Sequence, residues 1–245
     1  MSIEEKYNII YINNKRYYKI NLNEDNLDLQ NTTPYSISFN GITIEDSVWG
    51  SMAVKVVEQL NKFNPKQNEE LLGLKYPFSI RKKVFSETKD TNFRESINGL
   101  YLNTNFDAVR ALMNIKFLLG VFGVSLDDVT FILRRSHSAE KPEVVEYYKQ
   151  QTITGLEEYF GNKGFSQKKI ELIVNNLEYL NVYLNKIVDS WNNLFLFDNY
   201  IDYMTTYYKL KDYLDKNKRS YDEFKAGVQT LDFLKEYYHA TINHK

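Results

Sequence analysis

The sequence predicts an α+β protein in which N-terminal antiparallel hairpins pack with helices and a C-terminal antiparallel helical bundle follows. Short β-type runs flank two Asn-containing turns near the N-terminus, and a further β-type run ends at Leu133. From Pro142 onward, apolar residues recur with the period of a helix that packs on one face. We therefore place an α+β domain at 1–138 and a helical bundle at 139–245. Because no Gly/Ser/Pro-rich linker separates them, the two parts could fold as one cooperative unit.

Two β-hairpins are predicted before the first long helix. Their four strand-like runs are residues 7–12, 16–22, 36–39 and 42–44. Asn13-Asn14 separates the first pair of runs, and Asn40-Gly41 separates the second pair. Asn and Gly tolerate the positive φ that a type I′ turn requires, so both dipeptides favour tight hairpins. A sheet of this size needs a helix on one face to be stable.

The helix that can cover this sheet is predicted over 47–61, opening near Ser47 and Trp49. The apolar residues that share one face of it are Val48, Met52, Val56 and Leu60. Residues 62–91 then combine prolines with mixed charge and contain little apolar sequence. This composition predicts a short helix followed by a basic loop.

A strand, a helix and a second strand are predicted next. Residues 100–103 have the composition of a short strand, and Asp107 is a favourable N-cap for the helix that follows. Gly123 is well placed to end that helix, and residues 129–133 return as a strand. The two strands could form a parallel crossover, or the second could pair antiparallel with the N-terminal sheet.

Four helices are predicted in the C-terminal part. The first covers 142–161, the second follows the cap residue Ser166, and the third covers 199–214. A capping box at 220–223 opens the fourth. The second helix has the most regular apolar stripe in the chain, formed by Ile170, Ile173, Val174, Leu177, Leu180, Leu184, Ile187 and Val188.

Between residues 41 and 135 the local features occur in a recognisable order. They are the Asn40-Gly41 turn, the helix near Ser47 and Trp49, the basic loop ending at Phe85-Ser86, the extended residues 101–105, the helix from Ala108 and the strand 129–133. This order resembles a small α+β module that is found in, or encoded beside, bacterial restriction and phage-defence proteins. The module carries an adjacent Ser-Trp pair, which Val48 separates here, and Asp107 stands where a Ser is usual. The resemblance implies a bacterial defence or mobile-element setting and assigns no catalytic residue.

Composition narrows the classes of function. The net charge of -1 argues against an overall electrostatic grip on nucleic acid or an acidic membrane, so only a local basic patch could provide one. The absence of cysteine removes disulfides, thiolate nucleophiles and Cys-based metal sites. Residues 1–6 contain Glu4 and Glu5 and do not form a secretory signal, and no apolar run reaches the ~18 residues that span a bilayer. We expect a cytoplasmic protein that does not enter a membrane.

The sequence contains no specific catalytic signature. It lacks a phosphate-binding P-loop, a dinucleotide-binding glycine motif and a Gly-x-Ser-x-Gly nucleophile elbow. The histidines, His137, His239 and His244, would need metal partners from distant parts of the chain. We therefore predict no catalytic residue, no metal and no cofactor. Acid/base sites built from Asp, Glu, Lys and Tyr leave no local motif, so the absence of signatures does not decide whether the protein is an enzyme.

The predicted basic loop over 75–85 is a candidate nucleic-acid-binding segment. The residues that would form this contact are Lys75, Arg81, Lys82, Lys83 and Phe85. Basic side chains neutralise phosphates and aromatic rings stack on bases, so this composition is typical of a weak nucleic-acid contact. The alternative is an ordinary exposed loop that its aromatic residues anchor.

A second cluster follows the predicted strand 129–133. Arg134, Arg135 and His137 are candidates for binding an anion, because Arg and His can hold a phosphate or stabilise an anionic transition state. Glu140 is the nearby group that could tune a general base. The alternative is a solvated connector between the two parts of the chain.

The apolar segment 191–197 is a third candidate. Trp191, Phe195 and Phe197 give it too high an apolar density for a free loop, which predicts a buried turn between bundle helices. The alternative is an exposed aromatic patch that binds a partner protein, since aromatic residues are typical interface anchors.

These observations favour a non-catalytic binding or accessory protein that acts through protein–protein contacts in bacterial defence or mobile-element biology. Its partner would be another protein. One alternative is a nucleic-acid-binding protein that uses the basic loop over 75–85. The other is a phosphate-handling enzyme centred on 134–140.

Overall fold

The computed structural model describes residues 1–24, 27–76, 79–136, 139–187, 193–216 and 218–242. It confirms the α+β class, with antiparallel sheets in the N-terminal part and packed helices in the C-terminal part. The Cα atoms cluster into two compact units. The sheet unit comprises residues 7–10 and 17–135, and the helical unit comprises 1–6, 11–16 and 136–245.

The described strands and helices alternate irregularly along the chain. The strands are β1 (Ile9–Ile12), β2 (Lys15–Ile20), β3 (Thr32–Phe39), β4 (Ile42–Glu45), β5 (Lys75–Tyr76), β6 (Ser79–Lys83), β7 (Phe85–Ser86), β8 (Phe93–Glu95), β9 (Tyr101–Asn103) and β10 (Thr130–Arg135). The helices are α1 (Ile3–Lys6), α2 (Trp49–Phe63), α3 (Asn68–Leu72), α4 (Ala108–Val121), α5 (Pro142–Asn162), α6 (Gln167–Ile187), α7 (Tyr200–Lys216) and α8 (Lys218–Ile242).

Both predicted hairpins are confirmed. Asn13 and Asn14 have φ angles of 51° and 59°, and Asn40 and Gly41 have φ angles of 48° and 77°. Two consecutive residues with positive φ are what a type I′ turn requires, so the turn residues set the register of each hairpin locally.

The principal sheet has the strand order β1-β2-β10-β3-β4, so β10 separates the two hairpins. It is antiparallel to both neighbours, and Phe131 lies opposite Ile20 on one side and Ile37 on the other. The parallel crossover that we considered is therefore wrong. The strand near residue 101 instead lies in a separate sheet, β7-β9-β8. Phe131 and Leu133 are buried on one face of β10. Because β10 is the central strand, both of its edges pair with neighbouring strands.

Helix α2 covers the sheet as predicted, with Met52, Val56 and Leu60 in the core of the sheet unit. Val48 departs from the prediction, because it is the N-cap residue and is 48% exposed. The indole Nε1 of Trp49 donates to the carbonyl oxygen of Thr32 at 3.1 Å, which fixes the start of the helix to β3.

Asp46, rather than Ser47, organises the start of α2. Its carboxylate accepts hydrogen bonds from the backbone N–H of Val48 at 2.9 Å and the hydroxyl of Ser51 at 2.6 Å, and it pairs with Lys55 Nζ at 2.6 Å. Burial acts to raise the pKa of Asp46, but these hydrogen bonds and the Lys55 charge hold that pKa below its ordinary value. The ionised carboxylate is thus a stabilising feature of the folded state.

Residues 62–91 contain the predicted short helix, α3, but the prediction of a basic loop after it is wrong. The segment forms strands β5, β6 and β7 around the undescribed residues 77–78. The backbone hydrogen bonds of this segment come from the pairing of β5 with β6 and of β7 with β9. Local composition did not indicate this pairing.

The helical unit has its own apolar core, in which α8 packs against α5, α6 and α7. Gly155 lies where α5 approaches α8, since a Cβ atom at this position would overlap the hydroxyl of Tyr237. Two details correct the prediction. Helix α8 begins at Lys218, so residues 220–223, which were predicted to cap it, lie inside the helix. The basic residues that precede them are good helix formers, which favours the earlier start. In α5 the sequence predicts Val145 on the packed face, whereas the buried valine near the start of the helix is Val144.

We expect Asp46→Ala to lower the free energy of unfolding by about 1 kcal/mol at neutral pH, because it removes the hydrogen bonds to Val48 and Ser51 and the pair with Lys55. Because the folded pKa is lowered, the contribution is present above the ordinary Asp pKa near 3.8 and is lost as the pH falls through the folded pKa. Urea unfolding at pH 7 and pH 3 should therefore show a difference between wild type and variant that shrinks in acid. Asp128→Ala, at an exposed acid in the same unit, is the control and should show no such change. An equal difference at both pH values would contradict the assignment.

Candidate functional site

The β5–β6 ribbon carries the first set of predicted site residues. Lys75 and Lys83 are exposed and lie directly opposite each other across the two strands. Like charges in this position repel, so an anion between them would stabilise the ribbon. Arg81 and Lys82 lie on the backbone of β6, and their side chains are outside the described structure.

The aromatic residues of this segment do not flank the basic ones on the surface. Phe85 is fully buried in the core of the sheet unit and pairs with Leu102, so it cannot stack on a base. Tyr76 is 1% exposed, and its hydroxyl donates to the carbonyl oxygen of Asn103 at 3.2 Å. Burial raises the pKa of Tyr76. Strand alternation turns Tyr76 inward next to the exposed Lys75. Phe85 is buried because it lies in β7, a different strand from Lys83. Electrostatics is therefore the contribution of the ribbon.

Arg134 and Arg135 are the last two residues of β10 and are not part of a connector. Arg134 is exposed. The Nη1 of Arg135 lies 3.4 Å from a carboxylate oxygen of Asp28, and its guanidinium lies 5.6 Å from the ring of Tyr18. Arg135 thus binds Asp28 in the segment before β3. A bound anion would have to compete with the Asp28 carboxylate for the Arg135 guanidinium. The predicted His137 lies outside the described residues.

Glu140 is not available to adjust the pKa of a general base near Arg134 and Arg135, because its side chain is buried against Arg16. The Nη2 of Arg16 lies 3.3 Å from a carboxylate oxygen of Glu140 and 3.9 Å from one of Asp198. The Arg16 and Glu140 side chains are 2% and 1% exposed. We call Arg16, Glu140 and Asp198 the buried ion-pair network.

Aromatic residues complete this network within the helical unit. The ring of Tyr148 lies 4.0 Å from the Arg16 guanidinium, and the hydroxyl of Tyr11 donates to that of Tyr148 at 2.9 Å. The hydroxyl of Tyr148 donates to Glu4 at 3.3 Å. Burial, together with the contact between the two hydroxyls, raises the pKa of Tyr148, and burial raises that of Tyr11. Both phenols therefore stay protonated, and the network holds the N-terminal segments in the helical unit.

The sequence analysis did not identify the buried ion-pair network. Arg16 appeared only as the start of a predicted strand, and Asp198 lies far along the chain from it. The single local signal was a charged residue in a strand whose neighbours, Tyr17 and Tyr18, are aromatic. Charged side chains are seldom buried without a partner, but the sequence does not say which partner is chosen.

The described part of the apolar segment, residues 193–197, is a buried turn, as predicted. Phe195 and Phe197 are 1% and 6% exposed and belong to the core of the helical unit. The backbone N–H of Leu194 donates to the side-chain oxygen of Asn181 at 2.8 Å, which ties the turn to α6. Phe195 and Phe197 therefore cannot form an exposed partner-binding patch, and Trp191 lies outside the described residues.

A different apolar surface is exposed on α6. Leu172, Tyr179 and Val182 are 59%, 62% and 54% exposed. Their spacings of seven and three residues place them on one side of the helix, opposite the buried stripe. We call these three residues the α6 outer face. They could have been found in the sequence as the apolar residues of α6 that do not fit its core periodicity.

The described ranges contain no group of three or more His, Cys, Asp or Glu residues that could hold a metal ion. In the same ranges no helix combines the length and the hydropathy needed to cross a bilayer. No family model, no curated protein and no solved structure matches the chain.

The buried ion-pair network gives a stability prediction. Arg16→Met should lower the free energy of unfolding by about 3–5 kcal/mol, because it leaves Glu140 buried without its cation. Lys15→Met is the matched control, since Lys15 pairs with Asp202 at 3.6 Å on the surface, where such pairs contribute at most about 1 kcal/mol. Urea unfolding measures both. Equal, small losses in the two variants would show that Arg16 is not a buried partner.

Proposed function

We propose that the protein is a non-catalytic binding protein that acts through protein–protein contact at the α6 outer face. The observation that supports this function is the exposure of Leu172, Tyr179 and Val182 on one side of a helix whose other side is already packed. Exposed apolar side chains that share one side of a helix are a mark of interaction surfaces, and a large aromatic ring among them is a typical anchor. The partner would present a complementary apolar surface.

The biological setting that we propose is bacterial defence or mobile-element biology, with the protein acting as an accessory component in the cytoplasm. This part of the proposal depends on the resemblance of residues 41–135 to a module of such systems. The lack of cysteine suits a reducing compartment.

Tyr179→Asp should abolish partner binding, because it places a charge in the centre of an apolar contact. Tyr208→Asp on α7 is the matched control, since both tyrosines are 62% exposed. Each substitution should change stability by less than about 0.5 kcal/mol, as is usual for surface positions. A thermal melt checks that both variants are folded.

The partner can be identified with a photo-crosslinking amino acid at position 182, with position 205 on α7 as the control site. The crosslinked protein would then be purified and titrated by calorimetry against wild type and both variants. Loss of binding in Tyr179→Asp alone supports the proposal. No crosslink at position 182, or equal binding by both variants, overturns it.

A second candidate function is nucleic-acid binding through the β5–β6 ribbon. The observation that favours it is the placement of Lys75 opposite Lys83, next to the basic residues of β6. A two-stranded ribbon fits the major groove of duplex DNA, and cationic residues on it would contact phosphates. With a net charge of -1 for the whole chain, the attraction would be local.

The charge-reversal pair Lys75→Glu/Lys83→Glu should abolish duplex binding in a gel shift at low salt, and the affinity of the wild type should fall steeply as salt is added. The pair Lys62→Glu/Lys168→Glu makes the same change in net charge at exposed lysines elsewhere and should retain binding. A wild type that fails to shift duplex or single-stranded probes at low salt removes this function.

A further inference from the structure

A groove in the sheet unit has the features of a small-molecule site. It lies between α4 and the segment before β3, and encloses about 330 Å³. Leu29 and Leu112 are buried at its base, with Leu27 and Phe117 along the walls. The volume is at the lower end of the range that ligand pockets occupy, about 300–1,000 Å³.

The mouth of the groove is apolar as well. Val109 and Met113 on α4 are 48% and 41% exposed, although they are large hydrophobic side chains. A thioether adapts its shape to different apolar ligands. Apolar side chains therefore line both the buried and the exposed parts of the groove.

A cation lies at one end of this apolar surface. Lys116 is half-buried. Its ammonium donates to the main-chain carbonyl oxygen of Glu24 at 3.4 Å, which is the hydrogen bond of this side chain within the described residues. An ammonium group has three donors, and a contact of this length uses one of them weakly. Lys116 therefore keeps donors and charge for an anion that enters the groove.

We propose that this groove binds a medium-chain alkyl carboxylate, with the alkyl chain along Leu27, Leu112 and Phe117 and the carboxylate on Lys116. A methylene group is similar in size to a water molecule, which occupies roughly 30 Å³ in the liquid, so 330 Å³ accommodates a chain of about ten carbons. The proposal concerns the sheet unit and is independent of the function proposed for the α6 outer face.

The lining selects against more polar ligands. Sugars and nucleotides need several converging donors and acceptors, whereas the described residues that line this groove include two with polar side chains, Lys116 and Glu24. A single ammonium matches a monoanion, while phosphate groups are usually held by several donors. The exposed carboxylate of Glu24 would weaken the binding of an anion, so Glu24→Gln should tighten it about twofold.

The methionines allow a direct test. In protein labelled with ¹³C at the methionine methyl groups, decanoate should shift the resonance of Met113 in the groove. Met52 in the core of the sheet unit and Met204 in the helical unit are internal controls. From hexanoate to octanoate to decanoate, affinity should rise by about fourfold per methylene group, as expected for burial of the chain.

Two variants separate the charge from the apolar contact. Lys116→Gln should weaken decanoate about tenfold and leave neutral decanol within twofold, since it removes a charge-assisted hydrogen bond. Lys62→Gln, at an exposed lysine on α2, should bind both ligands as wild type does. Val109→Trp at the mouth should block both ligands without unfolding the protein, because Val109 is 48% exposed.

Loss of the Met113 shift in Val109→Trp together with the selective effect of Lys116→Gln supports the site. The proposal is overturned if decanoate leaves Met113 unchanged, if Met52 and Met204 shift as Met113 does, or if Lys116→Gln weakens decanoate and decanol equally.

Discussion

Cross-strand pairing of β10 is the interaction on which the sheet unit depends. Each N-terminal hairpin has two strands, and an isolated hairpin is marginally stable in water. β10 pairs with β2 on one edge and β3 on the other, which converts two hairpins into one five-stranded sheet. Phe131 then meets Trp49 of α2 with ring centroids 5.8 Å apart, so the same strand also anchors the helix above the sheet. These pairings join residues far apart in sequence, and the chain has to close long loops before they form.

Charge burial has a comparable role in the helical unit. Arg16 is more costly to bury than any apolar residue, and it is tolerated because Glu140 and Asp198 surround it. The network gives the short N-terminal segments a fixed place beside α5, where Lys6 also pairs with Glu143 at 2.9 Å. An arrangement that kept Arg16 buried away from Glu140 and Asp198 would leave a charge without these partners, which is costly.

The candidate surfaces differ in the physical force they would use. The α6 outer face offers apolar area, the β5–β6 ribbon offers paired cations, and the groove beside α4 combines apolar walls with the single cation of Lys116. The first two are carried by regular secondary structure, which holds side chains more firmly than a loop would, whereas the groove combines α4 with the irregular segment before β3. Arg135 and Glu140 have charge partners that stabilise the fold, so they serve the structure in the positions where a phosphate site had been considered.

The sequence by itself determined the elements whose signals are local. The turns at Asn13-Asn14 and Asn40-Gly41, the cap at Asp107 and the apolar stripe of α6 follow from backbone preference and helical period. The structure contains both turns, the cap and the buried stripe from Ile170 to Leu184, whereas Val188 lies outside the described residues. Only the tertiary structure decided where β10 pairs, that the basic segment is a ribbon and that Arg16 meets Glu140. These outcomes depend on which distant strand edge or charged side chain becomes the partner of a given group when the chain folds. No local sequence pattern determines that partner. The candidate surfaces fall on the same side of this division, because exposure is what remains after the core has been packed.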